Sequence, residues 1–136
     1  MDKEKVMEYQ ILEQQMQALT QNLQNIENNL EEINKIITTL NDFKTLKKGD
    51  NILVPVANGI FAEATLQDSK NLKVNVGSNV VVKKDVEGAK KIMDEQIKDL
   101  EKYREETMEY YNTMYAKMQA LQQELVKEQE SKEKKS

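Results

Sequence analysis

The residues in this sequence that could carry proton-transfer chemistry are its carboxylates, which include the adjoining pairs Glu31-Glu32 and Glu105-Glu106 in helix-like stretches. Neighbours on a helix point away from each other, so neither pair converges on a shared proton, and both are solvated faces. The 136 residues include no His and no Cys. That removes the side chain that titrates near neutral pH, the thiol nucleophile and the usual zinc ligands. Gly49, Gly59, Gly77 and Gly88 are isolated from one another, so none builds a phosphate-cradling loop. No enzyme activity, no metal and no cofactor is expected. A formal charge of -4 leaves no broad basic field, and nucleic acid is not an expected partner.

What remains is the chemistry of apolar contact. From Tyr9 the apolar residues recur in steps of three and four through Leu12, Met16, Leu19, Leu23, Ile26, Leu30, Ile33, Ile37 and Leu40. This 3.5-residue period is the seam of a left-handed coiled coil. A second series runs Met93, Ile97, Leu100, Arg104, Thr107, Tyr111, Met114, Met118, Leu121 and Leu125, with two polar members that commonly serve to fix register. If the chain doubles back between the two, the facing residue numbers sum to 133 or 134 at every layer. An antiparallel helical hairpin within one chain is therefore expected, with Leu40 near Met93 and Leu12 near Leu121. No stretch reaches the roughly 20 apolar residues that span a bilayer, so no membrane association is expected. The charged N-terminus and absent Cys point to a cytoplasmic protein.

Between the arms the period changes to two and the composition shifts to Val, Ile, Asn and Gly. Strands are predicted at 51–57, 60–66, 72–76 and 80–84, with Asn58-Gly59 as a type I′ turn and Pro55 at an edge, bulge or strand end. The fold class is α+β: a long two-helix coiled coil joined by two β-hairpins. Its segments are a first coil helix over 1–47, a hairpin region over 48–84, a second helix over 85–129 and a disordered tail over 130–136. Alternation puts Ile52, Val54 and Val56 on one strand face and Leu72, Val74 and Val76 on another. The coil uses its only stripe on itself, so these faces, with Ile60, Val80 and Val82, are expected to be buried between subunits.

The centre is also specific as a pattern. ILVPVANGIFAEATL followed by LKVNVGSNVVVKKDVEGAKKIM resembles the prefoldin family in its alpha class, where a Val-Pro hairpin precedes a second hairpin entered through Val-x-Val-Gly. The matching residues are Leu53, Val54, Pro55 and Val56, then Val74, Asn75, Val76 and Gly77, then Val82, Lys83 and Lys84. Asn75 stands where the family often has Asp, and Val80 and Val81 where it often has aromatic residues. The resemblance implies a hexamer of two alpha and four beta-class subunits, with hairpins joined into β-barrels. It further implies capture of unfolded proteins at the coil tips, and their delivery to a group II chaperonin without nucleotide.

Given that resemblance, the terminal turns are the expected client site. Val6, Met7 and Ile11 lie beside the first seam, and Tyr115 and Val126 beside the second. Met7, Ile11, Tyr115, Met118, Leu121, Leu125 and Val126 are the candidate contacts, being apolar, partly flexible and placed where a two-helix coil has least support. The competing expectation is a structural coiled-coil spacer or filament former assembled through the same hairpins.

Overall fold

The computed structural model describes residues 2–135. The elements are α1 (Lys3–Phe43), β1 (Asn51–Ala57), β2 (Ile60–Thr65), β3 (Asn71–Gly77), β4 (Val80–Asp85) and α2 (Val86–Lys135). Both helices begin on an aspartate cap. The Glu4 N–H donates to Asp2 Oδ1 at 3.0 Å and the Gly88 N–H to Asp85 Oδ1 at 2.8 Å, satisfying amides that a helix start otherwise leaves without partners. The second cap accounts for Gly88, because a Cβ there would stand 2.9 Å from Asp85 Oδ1.

The helix ends differ from expectation at both boundaries. α1 stops at Phe43 rather than 47, and the N–H groups of Lys44, Thr45 and Leu46 bond back three residues to Asn41, Asp42 and Phe43. Lys47 then donates to Asp50 Oδ2 at 2.8 Å, which closes the turn into β1. α2 continues as helix through Lys135, where the sequence predicted a disordered tail from 130. Helix-favouring Glu, Gln and Lys account for this, with Glu128 and Glu130 each four residues ahead of a lysine in the stabilising order.

The chain forms two compact units. One comprises the described parts of Met1–Leu30 and Asp99–Ser136; the other is Glu31–Lys98. In the first, the predicted stripes pack against each other: Leu12, Met16, Met114 and Leu121 form a buried cluster, with Tyr9, Leu19, Tyr111 and Met118 against it. Ile26 is 3% exposed and Thr107 7%, so the threonine is part of the seam. Its hydroxyl donates to the Tyr103 carbonyl at 2.8 Å and leaves no polar atom unpaired. In the second unit, Ile33, Val86 and Ala89 are buried and Lys44 pairs with Glu87. No helix among the described residues is long and apolar enough to cross a membrane.

β1 pairs antiparallel with β2 and β3 with β4, as two separate two-stranded sheets. The first pairing runs from Asn51↔Thr65 to Ala57↔Ile60, the second from Asn71↔Asp85 to Gly77↔Val80. Each contains an irregularity, between Pro55 and Ala57 and between Asn75 and Gly77. Val56 and Val76 fall in these bulges, so the predicted alternation ends at Val54 and Val74. The type I′ turn is also relocated. Of Asn58-Gly59 only Gly59 has positive φ, 77°, whereas Ser78 and Asn79 have φ of 51° and 59°, the signature that a two-residue I′ turn needs.

Candidate functional site

The candidate client contacts fall into two sets in the folded chain. Met7, Ile11, Tyr115 and Val126 are 61%, 51%, 50% and 47% exposed, while Leu121 is buried and Met118 and Leu125 are half-buried in the seam. Met7 and Ile11 are one helical turn apart and share a face. Tyr115 stacks on Tyr111, with ring centroids 6.5 Å apart. Leu121 can therefore meet another chain only where the coil opens, whereas Met118 and Leu125 keep part of their surface accessible in the closed coil. Beside the cluster runs a groove of about 510 Å³, floored by Met16, Met118 and Tyr111 and rimmed by Glu13, Thr20 and the amides of Gln17, Gln21 and Gln24.

Sequence reasoning missed exposed apolar groups on α2, namely Tyr103, Met108 and Tyr110. A signal was present. Each adjoins a seam position, next to Arg104, Thr107 and Tyr111 respectively, so it flanks the stripe without being covered by it.

Charged groups close the same unit. Lys5 Nζ lies 2.6 Å from Glu128 Oε1 and 3.5 Å from Glu124 Oε2. The hydrogen bond to Glu128 raises the Lys5 pKa above its ordinary value, and the same bond lowers that of Glu128. Arg104 Nη1 donates to Glu27 Oε1 at 2.7 Å, which keeps its proton more firmly held.

On the hairpins, Val54, Val56, Ile60, Val76 and Val80 are exposed, while Ile52, Leu72, Val74 and Val82 are half-buried. The register sorts the faces. In β1–β2 the pairs Ile52↔Ala64 and Val54↔Ala62 share one face, and Leu53↔Glu63 and Pro55↔Phe61 share the other. Leu53 and Phe61 are 66% and 58% exposed, so this hairpin presents apolar side chains on both faces, with Glu63 opposite Leu53 on the second; strict alternation along β1 alone does not reveal this. In β3–β4 the Val74↔Val82 face is apolar, and the opposite face carries Lys73↔Lys83 and Asn75↔Val81. Asn75 Oδ1 accepts from the Gly77 N–H at 2.9 Å, a turn bond that an aspartate oxygen would make equally well.

Comparison with known proteins agrees with this arrangement. The family model described as "Prefoldin subunit" matches residues 12–131. The prefoldin subunit alpha of Archaeoglobus fulgidus is 29% identical over 94% of this chain and 93% of its own length. That of Methanobrevibacter smithii is 38% identical over 48% of this chain and 44% of its own length. Among solved structures, a chain of filamentous PFD from Methanocaldococcus jannaschii, seen by cryo-EM, superposes with a TM-score of 0.76 at 25% identity, covering 90% of this chain and 99% of that one. With the paired stripes, the two hairpins and a family match that spans both hairpins and most of each helix, the chain belongs to the prefoldin family, as an alpha-class subunit of the archaeal type.

Proposed function

We propose that this chain is a subunit of an ATP-independent holdase that captures unfolded proteins at the terminal turns of its coil and hands them to a group II chaperonin. Prefoldin subunits are chaperones rather than enzymes, and membership implies assembly with other prefoldin subunits. The finer assignment adds beta-class partners, two alpha to four beta, in the cytoplasm. Residues 48–84 form the assembly region, through Ile52, Val54, Val56, Ile60, Leu72, Val74, Val76, Val80 and Val82, and the helices on either side reach the client.

The observation that carries the proposal is the exposure of Met7, Ile11, Tyr115 and Val126 on the unit that contains both chain ends, against a seam that already satisfies itself. Each such contact is weak. Burying about 100 Å² of apolar surface yields about 2–3 kcal/mol before ordering costs, so useful affinity needs several coils on one client. Removing residues 1–12 and 121–136 tests this, with the expected loss of stoichiometric aggregation suppression and retention of the assembly. A trimmed assembly that protects a denatured client as well as the full chain would move the site elsewhere.

A second reading has its own support, since the neighbour in Methanocaldococcus jannaschii is a filament. On that reading the chain polymerises through its hairpins. Native mass spectrometry of the chain alone, and with beta-class subunits, separates the two: open-ended masses from the chain alone favour the filament, and a discrete mixed hexamer favours the holdase.

A further inference from the structure

The seam does not end at its last apolar layer. Continuing outward past Leu12 with Leu121 and Tyr9 with Leu125, the same register reaches Lys5 and Glu128, whose numbers sum to 133 like the layers before. A coiled coil closed by apolar packing would carry a Leu or Ile there. Instead Lys5 Nζ sits 2.6 Å from Glu128 Oε1 and 3.5 Å from Glu124 Oε2, with 30%, 35% and 56% of the three side chains exposed. Asp2, three residues ahead of Lys5, caps the start of α1 by accepting the Glu4 N–H at 3.0 Å. Two carboxylates on α2 thus hold one side chain in the first turn of α1.

We infer that this polar layer is an electrostatic latch: Lys5, clamped by Glu124 and Glu128, sets how often the apolar layers inward of it open to an unfolded chain. The inference deepens the proposed capture at the terminal turns and rests on it. An ion pair that water reaches is weak and screened by salt, whereas an apolar layer would hold the end shut at any ionic strength. Opening would release Leu121, which the closed seam hides, and the covered part of Leu125. It would join them to Met7 and Ile11, already exposed.

Charge reversal tests the latch in the full-length assembled protein. Lys5→Glu places a third carboxylate beside Glu124 and Glu128, while Lys5→Glu combined with Glu128→Lys restores an opposite pair. Amide hydrogen exchange over residues 9–16 and 118–125 is the direct readout, with the amides of β1 and β3 as internal reference. At low salt the single variant should exchange about three- to ten-fold faster than wild type, and the double variant should return to within about two-fold. Between about 0.01 M and 1 M salt, where the screening length falls from about 30 to about 3 Å, exchange should rise in wild type and fall in Lys5→Glu. Aggregation suppression should reach completion at a lower chaperone-to-client ratio for Lys5→Glu and return to the wild-type ratio in the double variant. Unchanged exchange in Lys5→Glu, or no recovery in the double variant, overturns the latch alone. Exchange that responds while the required ratio stays constant overturns its control of capture. A wild-type assembly that protects no client sinks the capture function and the gating role together, with the exchange pattern still intact.

Discussion

Arg104 Nη1 and Glu27 Oε1 meet at 2.7 Å across 77 residues of sequence, and the pair shows how a charged residue is tolerated in an apolar stripe. The register sets Arg104 opposite Leu30; its body stays half-buried while its guanidinium leaves the seam for the flanking carboxylate. Arg104→Leu should therefore fill the layer and raise the urea midpoint, and stability should become less sensitive to salt. A lower midpoint would mean that the ion pair outweighs the packing it displaces.

Register is open to a covalent test. Ile26 and Thr107 are the most buried facing positions of the described coil, at 3% and 7% exposure. Cys placed at both should bridge within one monomer, because facing seam residues bring Cβ atoms to disulfide distance. Bridging only between chains, seen on a non-reducing gel, would refute the intramolecular hairpin.

The same two positions should differ in energetic weight. Ile26→Ala removes buried methyl groups from the seam and should cost about 2–5 kcal/mol in urea unfolding. Thr107→Val removes a hydroxyl whose bond, to the Tyr103 carbonyl, is local to its own helix. That change should lie within about 1 kcal/mol of neutral. A large loss at Thr107 would reveal a polar role in register that the hydrogen bonding does not explain.

The two-sided first hairpin leads to an expectation for assembly. Leu53→Asp and Phe61→Asp, on the face opposite Val54, should dissociate the oligomer as readily as Val54→Asp. Each buries an unpaired carboxylate at a cost of several kcal/mol if both faces are covered by other subunits. Native mass would read this directly, with circular dichroism checking that the helices persist. An oligomer that survives Leu53→Asp would show that only the Val54 face is an interface.

Acid should weaken both units, through Glu128 in the first and through two depressed carboxyls in the second. The Lys44 hydrogen bond holds Glu87 below its ordinary value of 4.5, and the backbone N–H of Lys70, with that of Asn71, holds Asp68 below 3.8. A lowered folded pKa contributes stability above the ordinary value and loses it as pH falls through the folded one. Thermal midpoints should thus fall below about pH 4.5, and Glu87→Gln and Asp68→Asn should each flatten that fall. An unchanged slope in both variants would assign the acid response to other carboxyls.

Much of this architecture was legible from periodicity, since a stripe of ten residues from Tyr9 to Leu40 and its counterpart from Met93 have few alternatives to pairing with each other. The hairpins were legible for a similar reason, because Asn, Gly and Ser clusters interrupt short β-branched runs. Local turn chemistry was less so. Asn58-Gly59 and Gly77-Ser78-Asn79 both admit positive φ, but the first turn uses it only at Gly59 and the second at all three residues, although both hairpins carry a bulge at the equivalent position.

Tertiary structure decided the questions that depend on neighbours distant in sequence. Position at the coil end makes Met118, Leu121 and Leu125 equal candidates with Met7 and Ile11, yet the packed cluster leaves Leu121 8% exposed and Met7 61%. Lys5 and Glu128 looked like ordinary surface charges until the helices met and made them the next layer of the seam. The sequence by itself determined which residues repeat, because period is a property of one strand or helix. Which of them face water, and which charge closes the end, was decided by antiparallel pairing, because burial is a property of two surfaces brought together.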